Sequence, residues 1–276
     1  MSLEAVLKDF KVIKPYKATG QKRVLLAEHS GYGKAIIKIG RSASKADLDR
    51  AKREVEVQKS LDSHYYPKIF DFISFADFQF VIIEEFIDSQ SLSSCHESFS
   101  EPLLILNLLK SLVSGLDLLW QARITHRDLK PDNILIRPDN SPVIIDLGIV
   151  LAIDKTDITS PFAFFSPCTP NYAAPEQLKN RRAEIDPRTD QFVLGIDVME
   201  LIGGGIHPFD PAYHGYQGSI PENIIKGIWN RELLNNDKFY IFKNLINRLL
   251  AQEPYKRFRN SKNIIQEIEN CIEAYK

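Results

Sequence analysis

The chain has 276 residues, 44% of them hydrophobic and 26% charged, which is enough to bury a sizeable core without disulfide or metal staples. Its 35 basic residues against 36 acidic ones leave a net charge of −1, so the charge balance gives no footprint for nucleic acid. The three cysteines, Cys95, Cys168 and Cys271, are odd in number and far apart, which fits a reducing compartment better than a disulfide framework and leads to the expectation of free thiols in a cytoplasmic protein. Apolar runs such as 142–153 and 103–120 are interrupted by Asp146, Lys110 and Asp117, so no membrane span is expected. The opening MSLEAVLKDFKVIK carries Glu4 and Asp9 and has no apolar core of signal-peptide length.

From about residue 14 to 86, short β-rich runs alternate with turn signals, and the pattern predicts strands at 11–14, 23–28, 35–39, 70–73 and 80–86. Between the third and fourth, Ala43 to Leu61 is rich in Lys, Glu, Asp and Ala and sets Leu48, Val55 and Leu61 near helical spacing. One helix therefore interrupts a mostly antiparallel sheet. The polar run DSQSLSSCHESFS reads as a hinge within about residues 85–100. Beyond it, periodicity predicts helices at 101–121, 189–202, 221–229, 238–250 and 261–274. The fold class is α+β: one domain over 1–276, β-rich with a single helix over about 1–87 and mainly helical over 88–276.

The most informative stretch is HRDLKPDN, His126 to Asn133, followed at Asp146 by DLG after the apolar run PVII. Phosphoryl transfer from ATP needs a group to orient the attacking hydroxyl, a charge partner for the moving phosphoryl, and two oxygens that hold Mg²⁺. Asp128, Lys130, Asn133 and Asp146 supply those four in that order. A carboxylate suffices at Asp128 because a loose transition state makes little demand for a strong base. Taken singly, Asp146 also reads as a turn cap before Gly148, and Lys38, at the end of AIIK, as a surface lysine beside an apolar strand.

Together these residues resemble the protein-kinase family, and the resemblance spans nearly the whole chain. It implies a two-lobed fold, ATP with Mg²⁺ or Mn²⁺ as cofactors, a protein substrate and, from Lys130, serine or threonine acceptors. By the same resemblance Lys38 reaches the α- and β-phosphates, held by Glu54 on the following helix, with Glu56 as the second choice. Thr169 in CTPNYAAPEQ contacts Asp128 and Lys130, Glu176 is buried against Arg257 of EPYKRF, and Asp190 ties down the catalytic-loop backbone. As a first-turn helix acid, Asp190 is also favoured by the dipole alone.

The chain departs from the family in several places. Counting back from Lys38, the phosphate-covering loop reads KATGQKRV, with Val24 in register and Gly20 displaced by one from the middle glycine. Ile36 replaces the alanine that lies over adenine, and Leu135 lines the same pocket. VIIEEFI aligns with Glu84 at the back of that pocket and with Glu85 to Ile87 offering backbone groups to adenine; a one-residue slip would reverse the faces. Gln58 is expected to join Glu84 in a polar cluster behind Lys38, where Glu84 competes with Glu54 for the lysine in an inactive state. Thr156, Thr159, Ser160 and Ser166 are candidate phosphosites, with Arg127 as the receiver; the apolar PFAFF equally fits packing without phosphorylation. Two rival readings stand beside an active enzyme: a pseudokinase that binds partners, and a small-molecule kinase of the aminoglycoside or choline type. Control by a regulatory protein or a homodimer fits any of them.

Overall fold

The computed structural model describes residues 2–16, 23–61, 63–147, 168–213 and 218–276, without the side chains of Arg50, Glu54 and Tyr213. The chain divides into two compact units, Met1–Asp88 and Ser89–Lys276.

The first unit opens with a short helix, α1 (Leu3–Leu7), whose N-cap Ser2 accepts from the Ala5 N–H. Five antiparallel strands follow: β1 (Phe10–Pro15), β2 (Arg23–His29), β3 (Gly33–Arg41), β4 (Ile69–Ser74) and β5 (Gln79–Glu85), in spatial order β1-β2-β3-β5-β4. Side chains alternate between the two faces. Leu25, Ala27, Ala35, Ile37, Val81 and Ile83 form one core with Phe10 and with Val6 of α1, so the N-terminal helix is docked on the sheet. On the other face Phe80 and Ile82 pack against Val55, Leu48 and Ala51 of α2 (Lys45–Leu61). Helix α2 starts later than composition suggests because Ser44 caps it, accepting from the Asp47 N–H. Gly40 lies opposite Phe80, and a Cβ there would come within 2.4 Å of that ring, so glycine is what lets the phenyl cross the strand.

In the second unit, β6 (Gln90–Ser91), β7 (Ile134–Ile136) and β8 (Pro142–Ile144) form a small antiparallel sheet. The polar run read as a hinge is folded instead: β6 leads into α3 (Leu92–Cys95) and a 3-10 turn, His96–Phe99. Leu92 and Phe99 are each 1% exposed, and these two apolar anchors within a serine-rich run overcome the entropy of ordering it. Helix α4 (Pro102–Gln121) is long and apolar enough by length and composition alone to cross a membrane, even with Lys110 and Asp117 within it. Here its apolar side is spent on the core, with Ile105, Leu106, Leu109, Leu112, Leu116 and Leu119 buried.

Several of the remaining helices have sequence-encoded ends. After α5 (Pro175–Leu178), α6 (Pro187–Ile202) starts at N-cap Asp186 with proline at its first position. Helix α7 (Ile220–Lys226) stops at Gly227, φ +70°, a left-handed cap that ends it before the expected residue 229. Of the helix expected at 238–250, the first part is a 3-10 turn, Tyr240–Phe242, and only α8 (Lys243–Leu249) is α-helical. Helix α9 (Ser261–Tyr275) is capped by Asn260, which accepts from the Asn263 N–H, and packs on α4.

Candidate active site

The run from His126 to Asn133 has no long helix or strand to hold it, so its shape comes from side chains elsewhere in the second unit. Asp190 on α6 is fully buried and accepts three N–H bonds: from Trp120 Nε1 and His126 N at 2.9 Å, and from Arg127 N at 3.0 Å. Burial pushes its carboxyl up, while charge from His126 and the three donors pull it back. Arg127 sits at φ +69°, a conformation that persists only when the surroundings over-determine it. Its carbonyl accepts from Gln177 Nε2 at 2.9 Å, and Gln177 Oε1 accepts from Ala174 N at 3.0 Å.

Within this frame the structure brings Asp128, Lys130 and Thr169 together. Asp128 Oδ1 accepts from both the amide and the hydroxyl of Thr169, each at 2.9 Å. Lys130 Nζ donates to Thr169 Oγ1 at 2.8 Å and lies 3.3 Å from Asp128 Oδ2. One hydroxyl thus accepts from the ammonium and donates to the carboxylate, which fixes both groups.

Asn133 donates through Nδ2 to the Asp128 carbonyl at 2.8 Å, which turns its carboxamide oxygen the other way. Its own backbone carbonyl accepts from Ile145 N at 2.9 Å, and Asp146 follows at φ +57°. Two hard oxygen donors are thereby brought onto adjacent backbone, a donor set that suits Mg²⁺ when phosphate and water complete the shell. Leu135, on β7, is half-buried and pairs with Val143 and Ser91.

In the first unit Val24, Ile36, Lys38 and Glu84 share one face of the sheet: Val24 lies opposite Lys38, and Ile36 opposite Glu84. Lys38 Nζ is 2.7 Å from Glu84 Oε1, and both residues are buried. Glu54 stands on α2 with its side chain outside the described residues, while Glu56 is exposed. Gln58 does not extend the Glu84 pair as expected; it donates to the Pro67 carbonyl at 2.9 Å, joining α2 to the chain entering β4. Glu85 spends its amide on the Lys68 carbonyl and its carboxylate on the Lys68 N–H, and Ile87 is buried. Gly20 and the candidate phosphosites Thr156, Thr159, Ser160 and Ser166 lie outside the described residues.

Sequence reasoning missed the Gln177 link and an acidic group on α6. Tyr172 Oη donates to Glu200 at 2.8 Å, and burial pushes the Glu200 carboxyl up to about 7, with nearby Asp132 adding to it and the tyrosine pulling back. One turn earlier, burial and then the charge of Glu200 raise Asp197 well above the usual carboxylate range. A lone glutamine and two acids within an apolar helix carry no local signal in the sequence.

A family model described as protein kinase domain matches residues 23–268. The chain is 26% identical over 245 residues to serine/threonine-protein kinase PrkC of Bacillus subtilis, covering 82% of this chain and 34% of that protein. It is 26% identical over 235 residues to serine/threonine-protein kinase PknA of Nostoc, covering 82% and 39%. Over 134 residues it is 36% identical to serine/threonine-protein kinase PknL of Mycobacterium tuberculosis, covering 46% and 33%. The chain thus spans between 33% and 39% of the length of these three relatives.

Proposed function

We propose that this chain, which belongs to the protein kinase domain family, transfers the γ-phosphate of Mg·ATP to serine or threonine hydroxyls of protein substrates. The observation that carries this reading is the closed set of hydrogen bonds among Asp128, Lys130 and Thr169. Asp128 orients the acceptor hydroxyl and takes its proton as the oxygen attacks. Lys130 offers its ammonium to the charge that spreads over the transferring oxygens. Asn133 and Asp146 are the residues that would hold Mg²⁺, which supplies charge neutralisation of the phosphates when bound. Lys38 serves the nucleotide phosphates. The choice of serine and threonine draws on Lys130 and Thr169 and on the printed names of the three relatives. A cytoplasmic setting is part of the same reading, supported by the free thiols of Cys95, Cys168 and Cys271.

The test is incubation of the purified protein with γ-labelled ATP, Mg²⁺ and a generic basic protein, beside an Asp128→Asn control, with the label located by mass spectrometry. Label on serine or threonine, lost in the control, is the expected result. ATP binding without transfer would leave a pseudokinase, and transfer seen only in a parallel reaction supplied with small hydroxylated metabolites would leave a small-molecule kinase.

A further inference from the structure

The geometry points to Glu84 as a positioning residue for Lys38, holding its ammonium from within the sheet; the inference rests on the phosphoryl-transfer reading above. Lys38 lies opposite Ile82 on β5, and Glu84 lies opposite Ile36 on β3. The two are therefore diagonal neighbours on one face, within reach of long side chains across an antiparallel pair. Nζ and Oε1 are 2.7 Å apart, with the side chains 9% and 7% exposed. Both ends stand on hydrogen-bonded neighbouring strands, so the contact is fixed by register rather than by the placement of a helix.

The competing idea, a latch in which Glu84 withdraws the lysine, needs a second state with the pair open. Opening it would separate two opposite charges held 2.7 Å apart in a buried setting, where their mutual attraction is only weakly screened. A lasting contact has no such cost. An ammonium has three donors, so it can serve a carboxylate and a phosphate together, and anchoring it in one rotamer lowers the entropy lost when phosphate binds.

The test compares wild type, Glu84→Gln and Glu84→Asp in three ways: KM for ATP against kcat, direct titration with Mg·ATP, and acylation footprinting of Lys38 without nucleotide. Thermal unfolding checks that each variant is folded. Glu84→Gln should raise KM and Kd for ATP about tenfold with a smaller change in kcat, and should speed acylation of Lys38 relative to the other lysines. Glu84→Asp should restore part of both, and it decides the question if Glu84→Gln does not fold. A folded variant that binds Mg·ATP as tightly as wild type or more tightly, or that leaves Lys38 acylation unchanged, would overturn the assignment. If wild type transfers no phosphate, the transfer reading falls, and the titration and footprint still decide the role of Glu84.

Discussion

Glu176 and Arg257 meet through two parallel hydrogen bonds, Nη1 to Oε1 at 2.7 Å and Nη2 to Oε2 at 2.9 Å, with the side chains 1% and 0% exposed. The remaining donors of the guanidinium reach the carbonyls of Ala251, Arg188 and Gln252, and Thr189 Oγ1 donates to Glu176 at 2.9 Å. One planar cation therefore fastens α5, the start of α6 and the turn before α9 to one another. Removing either partner leaves a buried charge with its solvation already lost. Arg257→Ala or Glu176→Ala should each destabilise the fold by about 3–5 kcal/mol. Arg257→Lys keeps the charge but not the fork, and should fall between wild type and Arg257→Ala. Urea unfolding of the three variants checks the order; an Arg257→Ala midpoint equal to wild type would show that the pair carries no stability.

The Asp190 clamp gives a second prediction, one that joins stability to rate. Three N–H groups converge on the two carboxylate oxygens. Asparagine at this place offers one oxygen and an NH₂ group that faces a donor, so at least one buried N–H is left unpaired. Asp190→Asn should cost about 1–3 kcal/mol. Because two of the donors are the His126 and Arg127 amides, it should also lower kcat more than it raises KM for ATP, as the backbone before Asp128 relaxes. Unchanged kcat in a measurably destabilised variant would confine Asp190 to a structural role.

Thr169 separates orientation of Asp128 from its chemistry. Thr169→Val removes the hydroxyl that links Lys130 to Asp128 and leaves the amide bond at 2.9 Å, so kcat should fall about 10- to 100-fold with nucleotide affinity kept. Thr169→Ser should retain most of the rate. Asp128→Asn, which removes the proton acceptor itself, should lose about 10³-fold in kcat. Steady-state kinetics on the three variants checks the ranking, and a Thr169→Val enzyme as fast as wild type would sink the orienting role.

How much of this could be read from the residues depends on where the determinants lie in the chain. Asp128, Lys130 and Asn133 sit in one uninterrupted motif, so their identity and order alone named the chemistry. The sharing of a face by Lys38 and Glu84 rested on the alignment of VIIEEFI with the family, because strand alternation allows two answers and a one-residue slip exchanges them; the register of β3 and β5 decides between the two. Gln177 was not readable: it bridges Arg127 and Ala174, and nothing in a glutamine's surroundings reports a partner 50 residues away. Gln58 misled for the same reason, since the Pro67 carbonyl that takes its amide is invisible to side-chain pattern. The segment around Leu92 and Phe99 looked like a linker because its serines outnumber its anchors, and composition weighs residues where burial weighs area.

Glu200 and His207 give opposite pH slopes that a single substitution can separate. Burial raises Glu200 from its ordinary 4.5 to about 7, so between those values the native state keeps a proton that the unfolded chain has released. Its contribution is complete below about pH 4.5 and is lost as pH rises toward 7. Burial lowers His207 from its ordinary 6.5 to about 4, so there the unfolded chain binds a proton that the native state refuses. That contribution is present above pH 6.5 and is lost as pH falls toward 4. In wild type the two slopes oppose each other across most of the same window, while Asp197, raised in the same sense as Glu200, adds to the Glu200 side. Glu200→Gln keeps an acceptor for the Tyr172 hydroxyl and removes one titration. Stability of the variant relative to wild type should therefore increase by about 3 kcal/mol between pH 4.5 and 7. Urea midpoints at four pH values across that window measure it, and parallel curves for the two proteins would show that Glu200 does not carry its proton into the folded state.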